Sequence, residues 1–330
     1  MNKSPNAPAK ASIRLGADTL EVLVMTAFLV ISIAFFSLLA PGFLSTTNFG
    51  SMSMQLPELG LLSLAMLVPI ISGGLNLSVT FTANLAGLTT AWFVQGALAD
   101  MGGIGVPLAI VTGLAVGAAS GCLIGVIVAY VGAHPILVSL GAMIFFQGMG
   151  EFLTRGGGIS GMPETFQTLG SGHWLGVPIP MWIFLAAAAG LMYIMHFTRI
   201  GFSTHMLGSN PRATEYSGID VKRVLIIVYT LSGLLAGLAG MVMLARFNSV
   251  RVGHGESYLL ITVLACFLAG ANPFGGFGRV LPLMLGLMSL QVIASGMNLM
   301  GASQHLATAV WGGFLIIVMA LRMPFIKSRE

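Results

Sequence analysis

The chain has 330 residues, of which 56% are hydrophobic and only 7% are charged, and its mean hydropathy is +0.95. An average soluble protein is about a quarter charged, so ten acidic and fourteen basic residues cannot cover a water-soluble surface of this size. The composition excludes a cytosolic enzyme, a secreted domain and a disordered chain. The net charge of +4 is too small and too scattered for a nucleic-acid surface. The sequence therefore predicts a protein that crosses a lipid membrane several times.

The first apolar run, at about residues 22–40, follows a tail (residues 1–19) that carries three basic residues. A secretory signal peptide would have a shorter apolar region followed by a cleavage site of small residues. Here the run is long enough to span a bilayer, and Pro41 directly follows it, which disfavours cleavage. We therefore predict a retained first helix that begins in the cytoplasm, with residues 1–19 as a cytoplasmic tail.

Nine more apolar segments follow, and several are shorter than the ~20 residues that a perpendicular span needs. We expect broken or re-entrant helices there; the first of these segments is preceded by Pro57, contains Pro69 and stops at Gly73-Gly74. The sequence thus predicts an all-α, polytopic membrane bundle of about ten transmembrane helices over residues 20–322, with a cytoplasmic tail at 323–330. The nine segments lie at about 59–71, 75–98, 106–130, 136–153, 181–197, 224–244, 259–268, 280–294 and 306–321.

The distribution of basic residues tests this count, because cytoplasmic loops carry an excess of Lys and Arg. With ten spans and a cytoplasmic N-terminus, Arg155, Arg246 and Arg251 are outside, and the other eleven of the fourteen basic residues are inside. Removing one span from the first half would move the basic cluster of residues 199–223 outside and abolish the bias. We therefore predict that both termini are cytoplasmic.

The inner loop, residues 199–223, contains the signals of a short helix. Asn210 can cap free N–H groups, Pro211 suits the first helical position, and Gly218 suits a left-handed stop. The helix would have about two turns, ~10 Å at 1.5 Å per residue, and is too short to be stable without a docking partner. It suits contact with a soluble protein at the cytoplasmic surface, and the alternative is a solvated connector turn. The candidate contact residues are Asn210, Pro211, Arg212, Glu215, Tyr216 and Gly218.

Glycine recurs every four residues within the span at 106–130, and a shorter repeat follows in the span at 224–244. Such spacing leaves one stripe of a helix without side chains, so that a second backbone can approach closely. We interpret these stripes as helix-packing faces rather than ligand contacts. They comprise Gly113, Gly117, Gly121, Gly125, Gly233 and Gly237.

A polar stretch, residues 72–80, separates two of the apolar runs, and the stretch 269–276 is distantly similar to it. Paired glycines in hydrocarbon free backbone groups, which is tolerated where protein or a water-filled path satisfies them. We predict that the translocation path passes beside this break, and a purely structural kink is the alternative. The candidate path residues are Gly73, Gly74, Asn76, Ser78, Thr82 and Asn272.

Catalytic and metal-binding patterns are lacking in the sequence. There is no G-x-x-x-x-G-K-[ST] phosphate loop, and Ser160 lacks the G-x-S-x-G spacing of a nucleophile elbow. Cys122 and Cys266 lie apart in apolar stretches, which favours buried structural thiols, and the six histidines are widely spaced. Glu58 and Glu151 are predicted near span ends, so intramembrane charge is nearly absent, which disfavours an ion-coupled pump. We expect no metal and no cofactor on this chain.

Six blocks of sequence, in order over about residues 20–322, resemble the ribose-type permeases of ABC sugar importers, within the branched-chain amino acid/sugar permease superfamily. The blocks are Gly-Gly-Leu-Asn-Leu-Ser-Val at 73–79, His-Pro-Ile-Leu-Val-Ser-Leu-Gly at 134–141, Gly-Ile-Ser-Gly-Met-Pro at 158–163, Gly-Ser-Asn-Pro through Ser-Gly-Ile at 208–219, Leu-Ser-Gly-Leu-Leu-Ala-Gly-Leu-Ala-Gly at 231–240 and Asn-Pro-Phe-Gly-Gly-Phe-Gly at 272–278.

The resemblance implies a non-enzymatic permease subunit in the bacterial inner membrane that translocates a small polar solute such as a monosaccharide. It implies cytosolic ATPase subunits that carry ATP and Mg, a periplasmic solute-binding protein, and a second permease copy in a homo- or heterodimer. It also implies that the segment 210–218 is the coupling helix that inserts into the ATPase.

Two departures from the family pattern leave the solute open. Family members commonly have Asp at the position of Asn76. They also commonly have Tyr-Glu-Leu after a Gly-x-Gly sequence, whereas in residues 253–259 of this chain Glu256 precedes Tyr258. An unusual sugar or a non-sugar solute is therefore an alternative to a common monosaccharide. Two other functions also stay open from the sequence, namely an ion-independent facilitator or secondary transporter, and a membrane enzyme that acts on lipid.

Overall fold

The computed structural model of the chain describes residues 17–96, 98 and 104–327. Of the predicted tails at 1–19 and 323–330, residues 1–16 and 328–330 lie outside these described residues, and the remaining tail residues belong to the first and last helices. The described residues form four short strands beside the helices: β1 (Gly158–Ser160), β2 (His173–Trp174), β3 (Val177–Pro178) and β4 (Ser249–Arg251). The helices of the described residues are α1 (Ala17–Leu39), α2 (Thr46–Ile71), α3 (Val79–Gln95), α4 (Gly105–Val126) with a π-helical turn (Ile127–Val131), α5 (Pro135–Thr154), α6 (Glu164–Ser171), α7 (Ile179–Phe197), α8 (Arg199–Ser209), α9 (Pro211–Tyr216), α10 (Val221–Phe247), α11 (Tyr258–Leu268), α12 (Val280–Leu299) and α13 (Gln304–Lys327).

Seven of these helices, α1, α2, α4, α5, α7, α10 and α12, are long and apolar enough to cross a membrane. The helix α11 and the segment His305–Val318 of α13 are shorter apolar helices, and the 17-residue α3 is largely buried. Each of the ten apolar segments predicted from the sequence overlaps one of these ten helices. The prediction of an all-α, polytopic membrane bundle is therefore confirmed.

The second helix is longer than its apolar run predicts. The sequence predicts a short segment from about residue 59, whereas α2 begins at Thr46, where the side chain of Ser45 caps the backbone N–H of Asn48. Pro57 and Pro69 lie inside the helix and do not end it. Membrane helices tolerate proline where neighbouring helices surround the freed backbone groups, and α2 is buried almost continuously from Leu56 onward.

The centre of the bundle is α10, which packs against α2, α3 and α4. The glycine stripe of α4 faces α10, because a Cβ on Gly117 would lie 2.6 Å from the carbonyl oxygen of Gly233 and 2.9 Å from the Cα of Gly237. Gly121 and Gly125 contact the α10 backbone in the same way, and Gly113 abuts α3. Because both α4 and α10 have glycines along this contact, their backbones can approach each other closely.

The loops after α5 and α10 meet at one end of the bundle, where β1 pairs antiparallel with β4 and Ile159 is opposite Val250. Both loops belong to the side that the ten-span topology puts outside. Of the two cysteines, Cys266 is buried, whereas Cys122 is only half-buried, so the expectation of a buried thiol holds for Cys266 alone.

Candidate functional site

The short helix α9 follows α8 directly, with Asn210 between them. The side chain of Asn210 accepts a hydrogen bond from the backbone N–H of Ala213 at 3.0 Å, and Pro211 occupies the first helical position. Gly218 follows the helix with φ +78°, the left-handed conformation that glycine adopts most readily. The helix has six residues, slightly fewer than the two turns predicted.

The outer face of α9 is open to contact. Tyr216 is 92% exposed, and Arg212 and Glu215 are also exposed. Within the described part of the chain, the ion pairs are Arg223–Asp220 and Arg246–Glu58, so Arg212 and Glu215 do not pair with each other. An aromatic side chain and two opposite charges are thus presented together at the surface.

The end of α8 lies directly against two other segments, which contact the backbone of Gly208 and both the backbone and the side chain of Ser209. The amide of Gly276 donates to the carbonyl of Ile71, the last residue of α2, at 2.9 Å. A Cβ on Gly275 would lie 2.7 Å from the Cα of Gly73 and 2.8 Å from the carbonyl oxygen of Gly208. Three segments therefore touch one another directly: the helix break after α2, the loop before α12 and the segment that leads into α9.

The polar residues after that break are hydrogen-bonded within the protein. The amide of Asn76 donates to the Ser232 hydroxyl at 3.0 Å, and the Ser78 hydroxyl donates to the Asn76 carbonyl oxygen at 2.7 Å. Thr82 lies 3.4 Å from Ser78, and all three side chains are buried. Asn272 is apart from them and accepts from the backbone N–H of Phe274 in a turn. The predicted path residues thus form two separate groups.

A cavity of about 560 Å³ lies elsewhere, between α2, α11, α12 and α13. Its wall contains two hydrogen-bonded pairs: the amide of Gln291 donates to Gln55 at 3.1 Å, and the hydroxyl of Ser295 donates to Asn48 at 2.6 Å. Trp311 of α13 also lines it. None of these residues is among the path residues predicted from the sequence, and of the two pairs only Gln291 lies inside a predicted apolar span.

A buried ion pair lies next to the cavity. The sequence predicts Glu58 near the end of a span, and that prediction is wrong, because α2 begins at Thr46 and places Glu58 in the middle of the helix. Its side chain is 0% exposed, and its Oε1 lies 2.8 Å from Nη1 of Arg246. The hydroxyl of Tyr258, which lines the cavity, donates to Oε2 of Glu58 at 3.5 Å. A pair of opposite charges is thus present inside the bundle, with its carboxylate fully buried.

A second, more open cavity of about 370 Å³ shares Ser257 and Tyr258 with the first. It is also lined by the end of α10 and by His254. Partial burial, together with the nearby charge of Arg251, holds the pKa of His254 below its usual range. This shift favours the neutral form of the imidazole over the charged form in this cavity.

Comparisons with known proteins give the family. Residues 48–319 match the family described as "Branched-chain amino acid transport system / permease component". The chain is 34% identical over 281 residues to the ribose import permease protein RbsC of Escherichia coli (strain K12), which covers 84% of this chain and 86% of that protein. It is 29% identical over 306 residues to the autoinducer 2 import system permease protein LsrD of Salmonella typhi, 91% of this chain and 90% of that one. No solved structure matches the chain significantly.

These matches confirm the resemblance carried by the six sequence blocks. A permease component holds no ATPase of its own, so ATP hydrolysis and solute capture belong to separate ATPase and binding-protein partners. A facilitator, a secondary transporter and a lipid-acting enzyme are thereby superseded. The chain belongs to the branched-chain amino acid transport system / permease component family and is a multi-pass permease subunit of an ABC importer of the bacterial inner membrane.

Proposed function

We propose that this permease translocates a monosaccharide or a related small polyol that a periplasmic binding protein delivers. The lining of the 560 Å³ cavity carries the proposal, because among its described residues there are amides, hydroxyls and one indole but no Asp, Glu, Lys, Arg or His. A zwitterionic amino acid would leave two charges without a counter-charge there, which is costly away from water. The relatives named for ribose and autoinducer 2 support a sugar-type solute over the amino acids of the family description.

The coupling of transport to ATP is assigned to α9. The segment 210–218 docks into the ATPase through Tyr216, Arg212 and Glu215, which are exposed on a helix too short to be stable without a partner. This assignment puts the loop 199–223 and both termini in the cytoplasm, with the permease domain at 20–322 and tails at 1–19 and 323–330. The positive-inside bias of the sequence supports that orientation.

A second permease copy completes the proposal. The helix α5 is mostly exposed in the isolated chain, and it carries Gln147 and Glu151, joined by a hydrogen bond of 3.1 Å. Polar groups on a membrane helix favour contact with protein or water over lipid. Gly141 and Gly148 on the same helix have nothing near their Cβ positions and leave room for a second backbone. These features support α5 as a contact helix in a permease dimer, homo- or heteromeric.

The solute class is tested by uptake into proteoliposomes that contain the permease, its ATPase and its binding protein. We expect ATP-driven uptake of labelled ribose or another monosaccharide, and unlabelled sugars and small polyols should compete with it. Leucine, isoleucine and valine should not compete. Saturable uptake of leucine that no sugar inhibits would replace the sugar assignment with the amino acid assignment.

A further inference from the structure

We propose that the cavity between α2, α11, α12 and α13 is the receiving site of the translocation path, where a neutral polyhydroxylated solute binds after leaving the binding protein. The proposal rests on the sugar-type function proposed above and assigns it a place. Most of the cavity wall belongs to the half of the bundle that the ten-span topology turns outward. This part of the wall comes from the first half of α2 (Asn48–Leu59), the start of α11 and the end of α12. A solute released outside meets this cavity before it meets the cytoplasmic break at Gly73.

The hydrogen-bonding capacity of the wall suits hydroxyl groups. A side-chain amide has two N–H donors and a carbonyl oxygen with two lone pairs, so the single bond between Gln291 and Gln55 leaves most of the capacity of both unused. Asn48 donates to the carbonyl of Phe43 at 2.8 Å and accepts from Ser295, which orients its amide. Sugar hydroxyls both donate and accept, and paired amides offer both functions within a few ångströms.

The remaining wall suits the apolar face of a sugar ring. Trp311 is half-buried on α13, and Leu59, Ile261 and Leu315 line the cavity with it. Ligand sites of this kind combine aromatic and aliphatic walls with a few polar groups, and their volumes are typically about 300–1,000 Å³. The observed volume of about 560 Å³ falls inside that range and accommodates a monosaccharide with some of its water.

The site is also connected to the centre of the bundle. Tyr258 lines the cavity, and its hydroxyl reaches Glu58, whose partner Arg246 lies on α10. By contrast, Asn76 and Ser78, the residues predicted from sequence for the path, are buried and hydrogen-bonded to each other or to Ser232. The described cavity therefore has both the space and the available hydrogen-bonding groups that the Asn76 cluster lacks.

The test uses cysteine labelling of the complete transporter in proteoliposomes, in a background with Cys122→Ala and Cys266→Ala. Ser295→Cys places a thiol in the cavity. Ser289→Cys is the matched control, because Ser289 lies on the same helix, is fully buried, does not line the cavity and donates to the carbonyl of Leu285. A membrane-impermeant, charged methanethiosulfonate should label Ser295→Cys from outside, block ATP-driven uptake, and react more slowly in excess transported sugar. Ser289→Cys should stay unlabelled.

Absence of labelling at Ser295→Cys in both the nucleotide-free and the ATP-bound transporter would overturn the site, as would full transport after complete labelling. If labelling blocks uptake but only a non-sugar solute is transported and protects, the cavity stands as the path while the sugar function fails. A second variant, Gln291→Leu in the Ser295→Cys background, should raise the sugar concentration that half-protects the thiol about tenfold, since one or two neutral hydrogen bonds to the solute are lost. Unchanged protection in this variant, with normal assembly, would remove the amide pair from the site.

Discussion

Glu58 of α2 and Arg246 of α10 join two largely buried helices of the bundle through a 2.8 Å ion pair, although the two residues are distant in sequence. The Glu58 side chain is wholly excluded from solvent, whereas the Arg246 side chain is 22% exposed near the end of α10. A carboxylate at this depth is tolerated because its charge is compensated locally. The pair therefore fixes the position of α2 against α10 beside the cavity.

Breaking one half of this pair should destabilise the protein more than removing both halves. Arg246→Met leaves a buried carboxylate without its cation, and we expect a loss of about 3–5 kcal/mol in the free energy of unfolding. The double variant Glu58→Leu/Arg246→Met should recover most of that loss, because no uncompensated charge remains. Thermal unfolding of the purified permease in detergent measures all the variants of this cycle.

The matched control for that cycle is Arg223→Met, which removes a 3.9 Å pair with Asp220 whose side chains are 79% and 59% exposed. Exposed pairs contribute little, so this variant should unfold within a few degrees of the wild type. Additive losses in the Glu58/Arg246 double variant would show that the two residues act independently and that their ion pair is not a structural unit.

Adding a single methyl group to the glycine stripe of α4 should weaken the bundle. Gly117→Ala would place a Cβ 2.6 Å from the Gly233 carbonyl oxygen, and such overpacking costs about 1–3 kcal/mol. Gly117→Leu should prevent recovery of folded protein. Gly190→Ala and Gly190→Leu on α7 are the controls, because nothing lies within 4 Å of that Cβ position. Equal yields and unfolding temperatures at the two positions would mean that the α4–α10 contact is looser than described.

Removing the exposed aromatic side chain of α9 should impair the ATPase complex without affecting the permease itself. Tyr216→Ala should leave membrane insertion and thermal unfolding unchanged, while ATPase binding weakens at least about tenfold, because aromatic anchors commonly dominate interfaces. Tyr130→Ala is the control, since that ring is also exposed and contacts Lys222 but lies outside α9. Normal ATPase binding and normal uptake by Tyr216→Ala would reduce α9 to a connector.

The contact between α8 and the helix break after α2 should affect the coupling of ATP hydrolysis to solute uptake. A Cβ on Gly208 would clash with the carbonyl oxygen of Ile71 and the amide of Gly276, so Gly208→Ala forces the three backbones apart. We expect ATP hydrolysis to continue in the assembled complex while uptake per ATP falls severalfold. Ser203→Ala is the control, because Ser203 is a half-buried residue of α8 whose hydroxyl donates to the carbonyl of Arg199 in its own helix. An unchanged ratio of uptake to hydrolysis in Gly208→Ala would show that this backbone contact does not couple hydrolysis to uptake.

Much of the fold was predictable from the sequence because a bilayer imposes length and polarity on each span. The ten helices follow from hydropathy, and the limits of α9 follow from Asn210, Pro211 and Gly218, whose effects are local. The start of α2 was not predictable, because residues 46–58 are only moderately apolar and Pro57 resembles a boundary. The position of Glu58 was misjudged for the same reason.

The cavity could not be predicted because it depends on the approach of four helices that are distant in sequence. Gln55 and Gln291 are separated by 236 positions, and only tertiary packing brings their amides within 3.1 Å. The contact of Gly73 with Gly275 is of the same kind: the sequence suggests that the two breaks are similar, but it contains no local signal that they touch. The predicted path at Asn76 and Ser78 stays a prediction, and these residues brace the break in the conformation described.

The most direct test of the transport assignment is solute uptake by proteoliposomes in the presence and absence of the ATPase and ATP. Vesicles with the permease alone should show no uptake above empty vesicles, and those with the complete transporter should accumulate solute only with hydrolysable ATP and the loaded binding protein. Replacing ATP with a non-hydrolysable analogue should abolish accumulation. Saturable entry of solute into vesicles that contain the permease alone, without nucleotide, would contradict the assignment and restore a facilitator.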